Sequence, residues 1–324
     1  MTVRSFDWRD VPALHRYRHQ SVFLHNALVL TQGPFLLSGA LLSSITPATG
    51  IFTSVCPGRG RSSPPLMGQV MHPSGMQLAQ LTFLAPRDAL DSNEDPLAVL
   101  ALLDHLVTQV GERGAHRLLA DVDEGSPVFE VLRRVSFAIY ARQRIWRLQR
   151  PGPQNNSHAS HWQAAAERDL IPVRSLYNNI VPGLVQQVEP FPAERLNGLI
   201  YRQEDELLAY VELKYGPRGI WAQPFVHPDA EEIAPCLVDL FQNLPYRRSR
   251  PVYVCIRSYQ SWLETALEDL GAEAGPRQAV MVKHLAVPLK AARPFALPAL
   301  EGGHPEISAP IVHIEGGNSV NYDT

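Results

Sequence analysis

The stretch SFAIYARQRIWRL, residues 136–148, has a counterpart far downstream in GAEAGPRQAVMVKHL, residues 271–285. In both, a helix-like run ends in a short turn. Six residues after Ser136 or Gly271 an Arg-Gln pair, Arg142-Gln143 or Arg277-Gln278, opens an apolar strand. Self-similarity at so long a separation is the mark of duplicated domains rather than of a solenoid, whose units recur every ~20–50 residues. The 324 residues therefore read as two copies of one α/β unit, each long enough for its own core. The expected division is residues 1–150, residues 151–290, and a tail over residues 291–324.

Hydrophobic periodicity gives the same order of elements in each copy. The first opens with an alternating strand over residues 2–8, and Asp10 stands as an N-cap before the amphipathic run VPALHRYRHQ. The second opens alike, with Arg168-Asp169 before IPVRSLYNNIV. A further helix is expected at residues 34–45 of the first copy. A three-strand meander follows at residues 50–56, 66–71 and 76–84, matched by residues 196–202, 206–215 and 219–226. Then come a helix (96–111; 229–243), a buried strand (116–122; 251–257), a helix (126–135; 259–270) and the final strand (138–148; 278–285). Asp95 and Pro96 are suited to cap and start the long first-copy helix. Between the copies, QRPGPQNNSHASH has linker composition. The Pro/Gly-punctuated tail is expected to be extended or disordered, with APIVHI able to add to a sheet edge.

Charge excludes some partners. The net charge is +3 through Arg150 and −6 beyond it, with no basic run of the kind a nucleic-acid face requires. Cys56, Cys236 and Cys255 lack the spacing of a zinc or redox pair, so interior thiols are expected. No apolar run is long enough to cross a bilayer and no apolar leader opens the chain, which makes a cytoplasmic location the expectation. His15 and His19 lie four apart on a helix with His25 beyond, but no HExxH glutamate accompanies them, and no metal is expected. His72, His227 and His284 stand singly in sequence.

The succession of elements, with LEDLGAE at residues 267–273 closing a helix into a last strand, resembles the GNAT-type N-acetyltransferases, present twice and degenerate. The resemblance implies two tandem α/β domains, each a mixed, mostly antiparallel central sheet flanked by helices. It also implies acyl transfer from acetyl-CoA or another acyl-CoA to an amine. The family's helix ending, approximately N-x-x-A-x-x-L-Y-x-x-L-G-F, is matched by GSPVFEVLRRVSF from Gly125 and QSWLETALEDLGA from Gln260. Leu132 and Leu267 stand where the family often has its tyrosine acid, and Gly125 and Gln260 where it has asparagine. Neither copy has the family's glycine-rich pyrophosphate loop. The first has Asp88, Asp91, Glu94 and Asp95 there, and in the second Asp229 and Glu232 have capping-box spacing.

By the same resemblance, the cofactor's pantetheine would pair with residues 80–84 or 222–226, making Phe83, Leu84, Phe225 and Val226 cofactor contacts. Arg87, the one cation beside the first loop, is either a phosphate contact or a surface arginine paired with its acidic neighbours. Tyr140, just past a helix end, could replace the missing acid or could pack. Glu212, in AYVELKYG, could serve as general base or pair with Lys214. An active copy would take an amine on a small molecule or a protein. A pair that had lost catalysis would act as a binding or assembly scaffold, engaging a protein partner or itself through the groove or the tail, with no role for nucleic acid or membrane.

Overall fold

The computed structural model describes residues 2–33, 50–58, 64–92, 95–149, 162–191, 195–230, 233–242, 244–245 and 247–285. They lie within one compact unit, Met1–Pro288. The helix expected at residues 34–45, the linker after its first residue, Gln149, and the tail fall outside the described residues.

The first copy runs β1 (Arg4–Ser5), α1 (Val11–Tyr17), β2 (Val22–Phe23), α2 (Asn26–Gln32), β3 (Ile51–Cys56), β4 (Leu66–Met71) and β5 (Leu78–Ala85). It continues with α3 (Arg87–Asp91), α4 (Pro96–Glu112), β6 (Arg117–Asp123), α5 (Pro127–Arg134) and β7 (Ala138–Leu148). The second runs β8 (Trp162–Ala164), α6 (Leu170–Ile180), α7 (Gly183–Val188), β9 (Gly198–Gln203), β10 (Glu206–Tyr215) and β11 (Ile220–Val226). It ends with α8 (Ile233–Gln242), β12 (Val252–Arg257), a 3-10 turn leading into α9 (Glu264–Asp269), and β13 (Glu273–His284). No helix among the described residues is long and apolar enough to cross a membrane.

The repeat has a physical cause at the two helix ends. Ser136 and Gly271 both take left-handed backbone, at φ 66° and 68°. The amides that follow close the helices identically: Phe137 N–H donates to Leu132 O at 3.1 Å, and Ala272 N–H to Leu267 O at 3.0 Å. Glycine adopts this geometry freely, whereas Ser136 pays roughly 1–2 kcal/mol for it.

The last strands are exchanged between the copies. All strands but β2 follow the order β1-β3-β4-β5-β6-β13-β7-β12-β11-β10-β9-β8 in a single sheet. Thus β13 lies between β6 and β7 of the first copy, while β7 pairs on its far side with β12 of the second. Because these strands are covered on both faces, Gln278–Val282 is buried without alternation, unlike a strand with one wet face. Ala279 and Met281 join the first-copy core under α4 and α5, and Trp146 and Leu148 join the second-copy core under α8. The repeated glutamines meet at the centre of the exchange. Gln143 is in register with Gln278 and donates from Nε2 to its Oε1 at 3.1 Å, while Gln278 Nε2 donates to Asp123 at 2.7 Å.

Asp10 and Asp169 do correspond, but neither side chain caps the helix after it. Each residue ends a short 3-10 turn in helical backbone, which turns its carboxylate back toward the preceding chain. Asp10 accepts from Asp7 N–H at 2.9 Å and pairs with Arg4 at 2.6 Å; Asp169 accepts from Ala166 N–H at 2.9 Å and pairs with Arg202 at 2.8 Å. Burial pushes the Asp169 carboxyl up, but those hydrogen bonds and the Arg202 charge outweigh it and leave its pKa below the ordinary 3.8. A depressed carboxylate adds stability above its unfolded pKa and loses it as pH falls through the folded one. Asp169→Asn is therefore expected to cost ~1–3 kcal/mol at neutral pH. The gap to wild type should close in acid, as read by urea unfolding at both pH values.

Candidate functional site

Each copy contains one pair of parallel neighbours, and each pair separates after a short ladder. Strand β5 pairs with β6 only from Leu78↔Arg117 to Gln80↔Leu119, and β11 with β12 only from Ile220↔Val252 to Ala222↔Val254. Beyond these points the strands continue, to Ala85 and Asp123 in the first copy and to Val226 and Arg257 in the second. Two V-shaped gaps result.

The first gap is filled by the chain itself. Val22 and Phe23 pair with Leu84 and Phe83, Leu24 N–H donates to Thr82 O at 2.9 Å, and Asp121 N–H donates to Leu24 O at 2.8 Å. The segment is a wedge bonded to both strands, with Leu24 fully buried. The edge at Phe83 and Leu84, which the family resemblance implies for a cofactor, is thus taken by β2. At the start of α4, Asp95 accepts from Ala98 N–H at 3.2 Å, so a carboxylate stands where a phosphate would need to sit. Arg87 is exposed at the first residue of α3, on the rim of a groove of about 550 Å³ that Asp91 and Asp123 also line.

In the second gap, the even-numbered residues of β11 turn their peptide groups toward β12. Ile220 N–H donates to Pro251 O at 3.0 Å, and Val226 O accepts from the side chain of Gln260 at 3.0 Å. Pro224, in phase with them, has no N–H to offer. Phe225 and Val226 are both in register with β10, but His227 N–H donates to Leu208 O at 2.8 Å, which sets the odd-numbered peptide groups toward β10 and leaves Val226, of the two residues expected to contact a cofactor, facing the gap. The capping box expected at Asp229 and Glu232 involves Glu232, which lies outside the described residues.

Between the gaps lies a cavity of about 240 Å³ lined from both copies, by His25, Gln80 and Asp121 of the first and by Glu189, Glu212, Arg257 and Tyr259 of the second. Arg257, at the end of β12, is 7% exposed and sets one guanidinium nitrogen against both Glu189 oxygens at 3.0 Å. The Tyr140 hydroxyl also donates to Glu189 Oε1, and Tyr177 donates to the Glu189 carbonyl at 2.5 Å. Burial raises the Tyr140, Tyr177, Tyr210 and Tyr259 pKa values, and nearby carboxylates add to the rise, so all four are neutral donors at physiological pH. Burial alone would lower the Arg257 pKa; Glu189 reverses this and the guanidinium stays charged. Burial lowers the His25 pKa and raises that of Asp121, which accepts from Asn26 N–H at 3.0 Å.

Of the sequence candidates, Glu212 lines the cavity and pairs with Lys214 at 3.3 Å, while Tyr140 is committed to Glu189. Glu189, Arg257, Tyr259 and Asp121 were not singled out by sequence. An arginine closing the apolar strand VYVCIR was the one available signal. His15 and His19 are exposed on and just past α1, apart from His25, and no group of metal-ligating residues forms among the described residues. His72 is buried, with its ring 2.7 Å from Met76 O. Cys56 and Cys255 are buried, Cys236 is half-buried, and none is in a disulfide. Burial pushes the Cys255 thiol up to about 12.

The chain as a whole, with parallel pairs β5/β6 and β11/β12 that each part after three residues, aligns with solved structures. A GCN5-related N-acetyltransferase from Sphaerobacter thermophilus aligns over 87% of this chain and 95% of its own, at TM-score 0.52 and 10% identity. The fold is that of the GNAT acetyltransferases, in tandem. Other GNAT structures align at lower scores. A tandem GNAT protein from the clavulanic acid biosynthesis pathway covers 87% of this chain and 98% of its own at TM-score 0.47 and 14% identity. A GNAT-family acetyltransferase from Colwellia psychrerythraea covers 88% and 100% at TM-score 0.42 and 12% identity. No family model matches the sequence, and no curated protein matches it. An acyl-CoA, which the GNAT fold implies for an active member, does not fit the first gap, where the wedge and Asp95 take its places. In the second gap the Pro224 carbonyl and the Val226 N–H are the backbone groups that would hold it, beside the Gln260 side chain already bonded to the Val226 carbonyl.

Proposed function

We propose that the protein is an acyl-CoA-dependent N-acyltransferase of GNAT type, with the acyl-CoA in the second gap and the amine in the central cavity. The observation that carries this reading is that the charged cavity adjoins β11 and β12, through Gln223, Phe225 and Arg257. The first gap, in contrast, is closed by β2. When bound, the cofactor supplies the activated thioester. The chain's part is to position the amine and take its proton. Glu212, 27% exposed on the cavity wall and 3.3 Å from Lys214, accepts that proton. Tyr140, tied to Glu189, holds that carboxylate against Arg257 rather than reaching the leaving group. Thiol release from acetyl-CoA in the presence of an amine panel tests the reading. Glu212→Gln is expected to slow release by ~100-fold or more with the fold intact. Absence of release with every amine would contradict it.

The wedge, the carboxylate at α4 and the missing Pro224 donor favour a second reading, a non-catalytic GNAT tandem that binds a ligand or partner without turnover. Binding of a ligand in the cavity without thiol release distinguishes it. Under either reading the cytoplasm is the proposed location.

A further inference from the structure

Unpartnered polar atoms concentrate around the central cavity. Of nine buried side-chain nitrogens and oxygens with no hydrogen-bond partner among the described residues, four belong to three residues that line it: Arg257 Nε and Nη1, His25 Nδ1 and Gln80 Oε1. His25 and Gln80 are neighbours, yet neither of these two atoms has a partner in hydrogen-bond geometry. Buried polar groups are otherwise almost always paired, so orphans gathered on one space point to a guest that pairs them.

The orphans set the chemistry of that guest. Nε–H of Arg257 shares an edge of the guanidinium with Nη2, which holds Glu189 at 3.0 Å, and Nη1 lies away from that edge. The two free donors therefore call for two separate acceptors. Gln80 Oε1 calls for a donor, and His25 Nδ1 takes either role according to its tautomer. Hydroxyl groups serve all of them, since each both donates and accepts.

Charge and shape narrow the choice further. Arg257 is offset by Glu189 and Lys214 by Glu212, at 3.0 and 3.3 Å, and burial keeps His25 toward its neutral form. An anionic guest would find the cations of the cavity already taken. Tyr177, Tyr210 and Phe225 pack against one another along the wall, with Phe225 centred 5.4 Å from Tyr177 and 6.2 Å from Tyr210, and offer an apolar surface to the C–H face of a sugar ring. The cavity of about 240 Å³ equals the space of about eight water molecules, room for one small ring and not for a chain of them.

We infer that the central cavity binds a polyhydroxylated ligand of monosaccharide size without an anionic group, with separate hydroxyl oxygens on Arg257 Nε and Nη1 and a hydroxyl donating to Gln80 Oε1. This rests on the proposed function only in that the acyl acceptor is then the amine-bearing form of such a ligand; the binding itself requires neither amine nor cofactor. The test is calorimetric titration of the intact protein, without acyl-CoA, with glucose, galactose, mannose, ribose, xylose, arabinose and myo-inositol, and with the uronic acids of the hexoses. At least one neutral compound should bind saturably, and any corresponding uronic acid at least ~10-fold more weakly. Arg257→Lys keeps a charge beside Glu189 but removes the two orphan donors, and Gln80→Met removes the orphan acceptor; each should weaken binding by ~10-fold or more. Gln80→Met should also melt no lower than wild type, because the atom it removes has no partner in the empty protein. The inference is overturned if none of the neutral compounds binds at about 10 mM, if a uronic acid binds as well as its parent, or if the folded variants bind as wild type does. Sugar binding without thiol release from any amine would remove the transferase reading alone. Thiol release with amines while no sugar binds would remove this inference alone.

Discussion

Residues 1–150 and 151–285, produced separately, are expected to lack a native fold, and to regain one when the two pieces are refolded together. The reason is the position of β13 between β6 and β7. Without it the first half loses the ladders from Gln278↔Asp123 to His284↔Arg117 on one side and from Glu273↔Arg147 to Val282↔Ala138 on the other. Its core also loses Ala279 and Met281, both fully buried. The second half alone loses the partner of β12 together with Trp146 and Leu148. Each large apolar side chain removed from such a core forfeits ~1.5–3 kcal/mol, and the bared strand edges add unpaired backbone groups. A net stability of ~5–15 kcal/mol does not survive several such losses. Far-UV circular dichroism and size exclusion of each half, then of the mixture, measure this. Cooperative unfolding of either half by itself would contradict the exchange.

Leu24→Ala is the point substitution expected to be among the most damaging. Leu24 is 0% exposed and packs in the first-copy core, while its backbone bonds both sides of the gap. Truncation should cost ~2–5 kcal/mol, because a segment held at N–H and carbonyl cannot move to fill the cavity left behind. Trp8→Ala, at a side chain 72% exposed, is the control and should shift stability by ~0.5 kcal/mol or less. Equal urea midpoints for the two variants would mean that the wedge is not a structural part of the first copy.

The repeat was legible because it marks a backbone requirement. Ser136 and Gly271 begin their matching stretches at the same left-handed turn, and Gln143 and Gln278 meet at the same register position. The strands after them were equally plain, since long apolar runs between turn residues are strong signals. The exchange was not legible, because the apolar content of β7 and β13 is the same whichever copy supplies their neighbours. The wedge was missed because Val22–Leu24 is too short to carry a period. Asp10 was read as the cap of the following helix because aspartate suits either role at a helix start, and the direction of the carboxylate, there as at Asp169, is fixed only by the preceding turn. At the site, Glu189 and Arg257 are 68 residues apart and come together only when α7 and β12 pack, so no local spacing announces them. Glu212 was accessible to sequence reasoning because alternation along β10 fixes which face it shares with Tyr210 and Lys214.

The central claim is that the second copy alone retains a place for acyl-CoA. Titration with acetyl-CoA, read by calorimetry for stoichiometry and by amide hydrogen exchange for location, tests it most directly. The account predicts one site per chain and slowed exchange over residues 223–230, with residues 81–85 unchanged because β2 already occupies that edge. Saturable binding that instead protects residues 81–85, or no binding at millimolar acetyl-CoA, would contradict it.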